Sequence, residues 1–172
     1  MNKRRTAFAL LWLTAIAPAA VRAADQLPAP ALENAGGTTI VRQSDPRSSL
    51  VGVAIVVHAG LNRQTMRQNG VAALVAQTIL TTPVTLPAKA PAVPMPLEEA
   101  IAASGGSVHF SVDPDDVRFY VESLAADASV AVGLMRQALS APDFSAATVR
   151  AARTALIHEL AQSQQYSQYA LQ

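Results

Sequence analysis

The apolar run at residues 70–80 constrains the fold more than any other stretch of the chain. Apolar side chains recur in it at helical spacing, Asn69 is placed to cap a helix, and Pro83 prevents the helix from continuing. The sequence therefore predicts a helix here. Because hardly any position in the run is polar, we expect this helix to be buried on nearly every side.

The N-terminus has the pattern of a secretory signal peptide. Basic residues at 3–5 precede an apolar stretch at 7–20, and Val21-Arg22-Ala23 has the small-x-small pattern of a cleavage site. A proline interrupts the stretch, which is also shorter than the ~20 apolar residues that a membrane span needs. We therefore expect residues 1–23 to be removed and the mature chain to be secreted, into the periplasm, without a membrane anchor. A retained anchor is the alternative.

Charge and composition exclude several classes of function. Of the 13 Lys and Arg residues, four lie in the predicted signal peptide, so the mature chain has nine against 12 acidic residues and a net charge of about −3. No basic cluster remains, so a nucleic-acid partner is not expected. The chain has no cysteine, which excludes disulfides and thiolate metal sites.

The first part of the mature chain is predicted to contain two strands. Residues 24–37 are rich in Pro and Ala and are expected to form a flexible leader. A strand is predicted at 38–43, followed by a turn at 44–48. The nearly all-apolar stretch at 50–59 is typical of a central strand covered on both faces.

The rest of the chain is predicted to be mainly helical around one hairpin. The proline-rich stretch at 81–96 indicates an extended connector, and Pro96 opens a short helix that Gly105 ends. Alternating strands at 107–112 and 117–124 indicate a hairpin. Two helices are predicted after it, one at 126–140 and a longer one capped by Ser145. The element order favours an α+β two-layer sandwich, with a mixed or antiparallel sheet covered by helices.

The helix at 70–80 resembles the zinc helix of insulinase- and pitrilysin-type peptidases, a family that includes the mitochondrial processing peptidase. Gly70-Val71-Ala72 is similar to the opening of that helix, which continues in the family into His-x-x-Glu-His. In this chain Ala73 stands at the first His, Ala76 at the Glu and Gln77 at the second His. The resemblance implies that the catalytic site is lost while its helix is kept.

Several other residues resemble the same family in order and spacing. Gly60 resembles the glycine that ends the second strand, and Gly105-Gly106-Ser107 resembles the Gly-Gly-Ser before the hairpin. Tyr120 and Asp143-Phe144 also match family positions. The resemblance implies that residues 38–172 form an insulinase-like peptidase N-terminal domain that is incomplete at its C-terminus.

The third zinc ligand of the family is a Glu on the last long helix, and Glu159 stands at that place. Zinc in a catalytic site needs three protein ligands and an open position for water. Only Glu159 remains of the three, so no zinc or other cofactor is expected. A solvated helix residue is the plain alternative for Glu159, and relocated metal ligands are the alternative for the site.

The resemblance also implies a peptide-binding edge. In the family, the strand after Gly-Gly-Ser receives substrate as an added strand, through main-chain hydrogen bonds. Here that strand begins Ser107-Val108-His109-Phe110, where His109 replaces the family's Asn and Phe110 its Ala. Ordinary alternation within a hairpin is the alternative interpretation.

These observations predict a metallopeptidase homologue that does not cleave peptides by itself. The family includes two-chain enzymes in which a companion without the zinc motif helps to enclose the peptide. We therefore expect a zinc-carrying insulinase-like companion subunit and peptide substrates as partners. The alternatives are a binding or scaffolding module without a protease partner, and an active metallopeptidase with relocated ligands.

Overall fold

A computed structural model describes residues 27–87 and 93–169 of the chain. The predicted signal peptide, 1–23, lies outside the described residues. The chain divides after Pro46 into two compact units, one ending at Pro46 and the other beginning at Arg47.

The first unit contains an antiparallel hairpin of β1 (Ala31–Ala35) and β2 (Thr38–Arg42). Gly36 and Gly37 form its two-residue turn with φ of 57° and 84°, a conformation that favours glycine. The prediction of a strand at 38–43 is confirmed. The prediction of a leader at 24–37 needs correction, because the glycine turn folds Ala31–Ala35 back to pair with β2.

The second unit is built on a three-stranded antiparallel sheet in the order β3 (Leu50–Val57), β7 (Val117–Leu124), β6 (Ser107–Val112). The predicted hairpin is therefore confirmed. Its second strand, β7, is the central strand of the described sheet, and four of its eight residues are buried. The prediction that 50–59 forms a central strand is wrong for the described residues, where β3 is an edge. Its residues Val51, Val53 and Ile55 are half-buried, while the alternate positions are exposed.

The α-helices within the described residues are α1 (Val71–Thr81), α2 (Leu97–Ala103), α3 (Ala128–Ser140) and α4 (Ala146–Tyr169). A short ladder joins β4 (Pro83–Val84) to β5 (Met95–Pro96), so residues near the two ends of the predicted connector at 81–96 pair with each other. Each of these strands has only two residues, which limits the cost of a proline that cannot donate a ladder hydrogen bond.

The core lies between the sheet and the helices. Inward-facing residues of β6 and β7, such as Val108 and Phe119, share one apolar cluster with Leu80 of α1, Ile101 of α2 and Leu134 of α3. The α+β prediction is confirmed: antiparallel sheets and helices form a mixed domain, as expected of the N-terminal part of an insulinase-like fold. Among the described helices, none has the length and apolar character that a membrane crossing requires.

The predicted helix at 70–80 is confirmed as α1, but two details differ. Gly70 is its N-cap, with φ of 89°, and not Asn69. The helix is also not buried all round, since the side chains of Val71 and Val75 are 46% and 39% exposed. Apolar composition does not distinguish a buried face from one that lines a surface pocket.

Candidate functional site

The C-terminal end of α1 is fixed by the buried hydroxyl of Thr82. This hydroxyl donates to the carbonyl of Thr78 at 3.0 Å and accepts from the backbone N–H of Asp143 at 3.2 Å. The carbonyl of Thr82 accepts from the N–H of Leu97 at 3.0 Å. One residue therefore links α1 to the start of α2 and to the segment that leads into α4.

The N-terminus of α4 is capped by a small polar network. Asp143 accepts a hydrogen bond from the hydroxyl of Thr148 and, at 2.9 Å, one from the backbone N–H of Ser145. The Ser145 hydroxyl accepts from the N–H of Thr148 at 3.3 Å, as the sequence predicts for a cap. The hydrogen bond from Thr148, followed by that from the Ser145 N–H, lowers the pKa of the Asp143 carboxyl.

Helix α4 packs along α1, and a groove of about 320 Å³ opens between these helices, the start of α2 and the edge strand β6. We call it the helix groove. Its lining is formed by Gln77, Leu80, Glu98, Val108, His109, Phe110, Ala155, His158, Glu159 and Gln162.

The helix groove brings together most of the site residues that the sequence singles out. Gln77, which the resemblance sets at the family's second His, and Glu159, which it sets at the third ligand, both line the helix groove. Gln77 is buried and Glu159 is exposed. Three residues of the predicted peptide-binding edge, Val108, His109 and Phe110, line it too.

The remaining predicted positions lie elsewhere. Ala76, at the place of the family's Glu, is completely buried and lines a different pocket on the other side of α1. Ala73 is half-buried and four residues before Gln77, so it shares a helix face with Gln77. Ser107 is exposed at the start of β6.

The donor atoms around α1 do not fit the family's zinc site. Alanine at positions 73 and 76 has no side-chain ligand atom, and the amide of Gln77 is a weak substitute for imidazole. No group of three His, Cys, Asp or Glu residues placed to hold a metal ion occurs within residues 27–87 and 93–169. Glu159 is therefore left as a single carboxylate from the family's set.

The outer face of the hairpin carries contacts that sequence reasoning missed. The His109 ring stacks on Tyr120, with centroids 4.9 Å apart and planes at 17°. Next to this pair, Arg118 Nε lies 2.8 Å from Asp116 Oδ1, and Arg118 Nη2 donates to Asp116 Oδ2 at 3.2 Å. These contacts, led by the Asp116 hydrogen bond, raise the pKa of Arg118 above its already high value. The hairpin alternation and register contained the signal, since His109 and Tyr120 are direct cross-strand partners.

Sequence reasoning gave no site role to Glu98, His158 and Gln162, which line the helix groove. The spacing of His158 and Gln162, at i and i+4 on α4, would place them on one helix face. Which face of α4 meets α1 depends on tertiary packing. The sequence alone does not provide this information.

Comparison with known proteins agrees with this architecture. The model of the insulinase family, peptidase family M16, matches residues 39–172. The crystal structure of a protease from Helicobacter pylori is similar to this chain, with a TM-score of 0.63 and 14% sequence identity over 77% of this chain. This chain spans 31% of that protease's length. At such identity the likeness shows the fold alone.

No curated protein sequence matches the chain. The family model nevertheless covers most of it, and it includes α1, the β6–β7 hairpin and α4. The resemblance inferred from individual motifs is therefore confirmed, and the chain belongs to the insulinase family of peptidases.

Proposed function

We propose that this chain is a secreted, periplasmic member of the insulinase family that binds peptides without cleaving them, as the companion of a zinc-carrying subunit. One observation carries the proposal. The helix groove joins Gln77 and Glu159, two positions of the family's zinc site, to the edge strand that would receive an extended peptide. This arrangement supports peptide binding, and the side chains at positions 73, 76 and 77 do not supply the family's donor set for zinc.

The edge strand β6 supports the peptide-binding part of the proposal. In the described sheet, β6 pairs with β7 on one side only. Its other side can offer main-chain N–H and C=O groups to an added strand. The adjoining groove, with apolar Leu80 and Phe110 beside Glu159 and His158, can accept side chains from that strand.

The loss of catalysis follows from the chemistry of the substituted positions. Family hydrolysis needs a metal-bound water and a general base beside it. Ala73 and Ala76 supply neither a ligand nor a base. We therefore expect purified chain to contain no stoichiometric zinc by elemental analysis and to leave peptides intact by mass spectrometry. Stoichiometric metal would favour an active enzyme with relocated ligands.

Peptide binding can be tested with a groove-filling substitution. Ala155 lines the helix groove, and Ala155→Phe should weaken binding of a fluorescein-labelled extended peptide at least about tenfold, measured by anisotropy. Ala147→Phe is the matched control, because Ala147 is exposed on the same helix and lies outside the groove lining. Equal affinities for both variants would contradict the proposed site.

The companion role needs a separate experiment. Co-expression with a family member that carries His-x-x-Glu-His should yield a stable two-chain complex by size-exclusion chromatography. The companion should also stimulate peptide cleavage by the zinc-carrying chain. A chain that remains alone and has no such effect would favour a binding or scaffolding module without a protease partner.

A further inference from the structure

The segment that leads into α1 contains the dipeptide Asn69-Gly70. Both residues are exposed to solvent, and neither lines the helix groove. Asn69 has φ of −56° and ψ of 127°, and Gly70, the N-cap of α1, has φ of 89°. The chemistry of this dipeptide is therefore independent of the proposed function.

An asparagine can react with the backbone nitrogen of the residue that follows it. This nitrogen loses its proton to solvent base and attacks the side-chain Cγ, which closes a five-membered imide ring. The side-chain amide nitrogen takes a proton from water and leaves as ammonia. Water then opens the ring at either carbonyl, which gives aspartate or isoaspartate, so the overall change consumes water and releases ammonia. A following glycine favours ring closure because it has no Cβ beside the attacking nitrogen.

The hydrogen bonds around the dipeptide leave the reacting groups unpaired. Among the described residues, neither the side-chain amide of Asn69 nor the N–H of Gly70 has a hydrogen-bond partner. The carbonyl of Gly70, by contrast, accepts from the N–H of Leu74 at 2.9 Å. The peptide after Gly70 is therefore fixed to α1, while the peptide between Asn69 and Gly70 is not.

Ring closure needs a rotation of the peptide plane between the two residues. The Gly70 nitrogen must reach the same side of the Asn69 Cα–C bond as the Asn69 Cβ, so ψ of Asn69 has to change from 127°. A compensating change in φ of Gly70 lets this plane turn while α1 stays in place. Glycine permits such a change because both positive and negative φ values are accessible to it.

The other asparagines within the described residues lack this combination. Asn62 Nδ2 donates to Asp115 Oδ1 at 3.0 Å, and the N–H of the next residue, Arg63, donates to a backbone carbonyl at 3.1 Å. Asn34 pairs with Thr39 in the β1–β2 hairpin, and its Oδ1 accepts from the Thr39 hydroxyl at 3.0 Å. Both side chains are held by hydrogen bonds, and neither residue is followed by glycine.

We propose that Asn69 is a site of spontaneous deamidation, which converts it in the folded chain to aspartate and isoaspartate. The aspartate product adds a carboxylate directly before α1, whose first turn contains no acidic residue. A negative charge there is favourable beside the positive end of the helix dipole. The isoaspartate product instead adds a methylene group to the backbone. The conversion therefore changes the charge or the backbone at the start of α1 as the chain ages.

The test follows the full chain during incubation at 37 °C and pH 8, by tryptic digestion and mass spectrometry. Trypsin separates two of the asparagines, because Asn62 falls in the peptide 48–63 and Asn69 in the peptide 68–89. A digest made before incubation corrects for conversion during digestion. The peptide 68–89 should convert from amide to acid at least about tenfold faster than the peptide 48–63. Equal rates, or no conversion of 68–89 over several weeks, would overturn the proposal.

A second measurement and matched variants identify the reacting side chain. Isoaspartyl O-methyltransferase should label the incubated protein in the peptide 68–89. Asn69→Gln keeps an amide but lengthens the side chain, so that a five-membered ring cannot form, and should abolish both signals. Asn34→Ser, which removes an exposed asparagine elsewhere, should leave both signals unchanged. Conversion of Asn69 in concentrated urea but not in buffer would show that the fold protects Asn69 and that the inference is wrong.

Discussion

The two sides of α1 differ in what surrounds them. The helix groove has polar and titratable residues from α2, β6 and α4, including Glu98, His109 and Glu159. The pocket of about 420 Å³ on the other side of α1 is lined mainly by Val, Ala, Ile, Leu and Phe side chains, together with Arg63, Gln64 and Gln68. Under the proposed function, positions 73, 76 and 77 of α1 are the ones that lack the family's zinc chemistry, while the residues that α2, β6 and α4 contribute to the helix groove are polar or titratable in part.

The largest expected effect on stability is at Gly60, where the loop that leads to Gln64 begins. A Cβ at this position would lie 2.4 Å from the Asp113 carbonyl oxygen and 2.4 Å from the Asp116 nitrogen, both backbone atoms that cannot move independently. Gly60→Ala should therefore lower the free energy of unfolding by about 3 kcal/mol, measured by urea denaturation. It should also loosen the loop that positions Gln64.

Gly52→Ala is the matched control for Gly60. A Cβ at Gly52 meets nothing within 4 Å, and its backbone is in a strand. This variant should change stability by no more than about 1 kcal/mol, because alanine restricts the unfolded chain without a clash in the fold. If both variants behave alike, the close approach of the loop to the hairpin is not as described.

At Thr82, on the C-terminal end of α1, the expected loss of unfolding free energy is somewhat smaller than at Gly60. Thr82→Val keeps the shape of the side chain but leaves the N–H of Asp143 without its acceptor. It should lower the free energy of unfolding by about 2 kcal/mol. Thr82→Ser, which restores the hydroxyl, should recover most of this loss. Thr154→Val removes an exposed hydroxyl on α4 and should cost less than about 0.5 kcal/mol. A loss for Thr154→Val as large as that for Thr82→Val would contradict the linking role of Thr82.

The smallest expected effect is a pH dependence at the start of α4. Because the fold lowers the pKa of Asp143, its contribution to stability is present above the ordinary carboxyl pKa of about 4. It is lost as the pH falls through the lowered value. Asp143→Asn should therefore reduce the urea midpoint at pH 6, and the difference between the two proteins should shrink as the pH falls through the lowered pKa of Asp143. A difference that stays constant over the whole acid range would show that the carboxylate charge is not involved.

Local patterns predicted the elements that surround the helix groove. Alternation in 107–124 identified the hairpin, and helical spacing identified α1. Helical spacing after Ser145, the predicted cap, identified α4. These elements are encoded by short-range periodicity and capping, which a single sequence displays directly. The expectation that Gln77 and Glu159 belong to one site came from the resemblance to the insulinase family, and both residues line the helix groove.

Features that depend on long-range packing were not predictable in the same way. The edge position of β3 follows from which strands pair, and its apolar composition suggested the opposite. The contact between Gly60 and the turn at 113–116 joins residues more than fifty positions apart in sequence, and no local pattern indicates it. The β1–β2 hairpin was missed because proline and alanine dominated the composition around the short Gly36-Gly37 turn.

We propose that α1 and α4 still place positions 73 and 77 close enough to Glu159 for three ligands at these positions to bind one zinc ion. The double variant Ala73→His/Gln77→His places two imidazoles on one face of α1, with Glu159 available as the third ligand. Its zinc affinity, measured by isothermal titration, should fall at least about tenfold when Glu159→Gln is added. Unchanged zinc affinity after Glu159→Gln would show that α4 does not present its carboxylate to α1, and would contradict the claim.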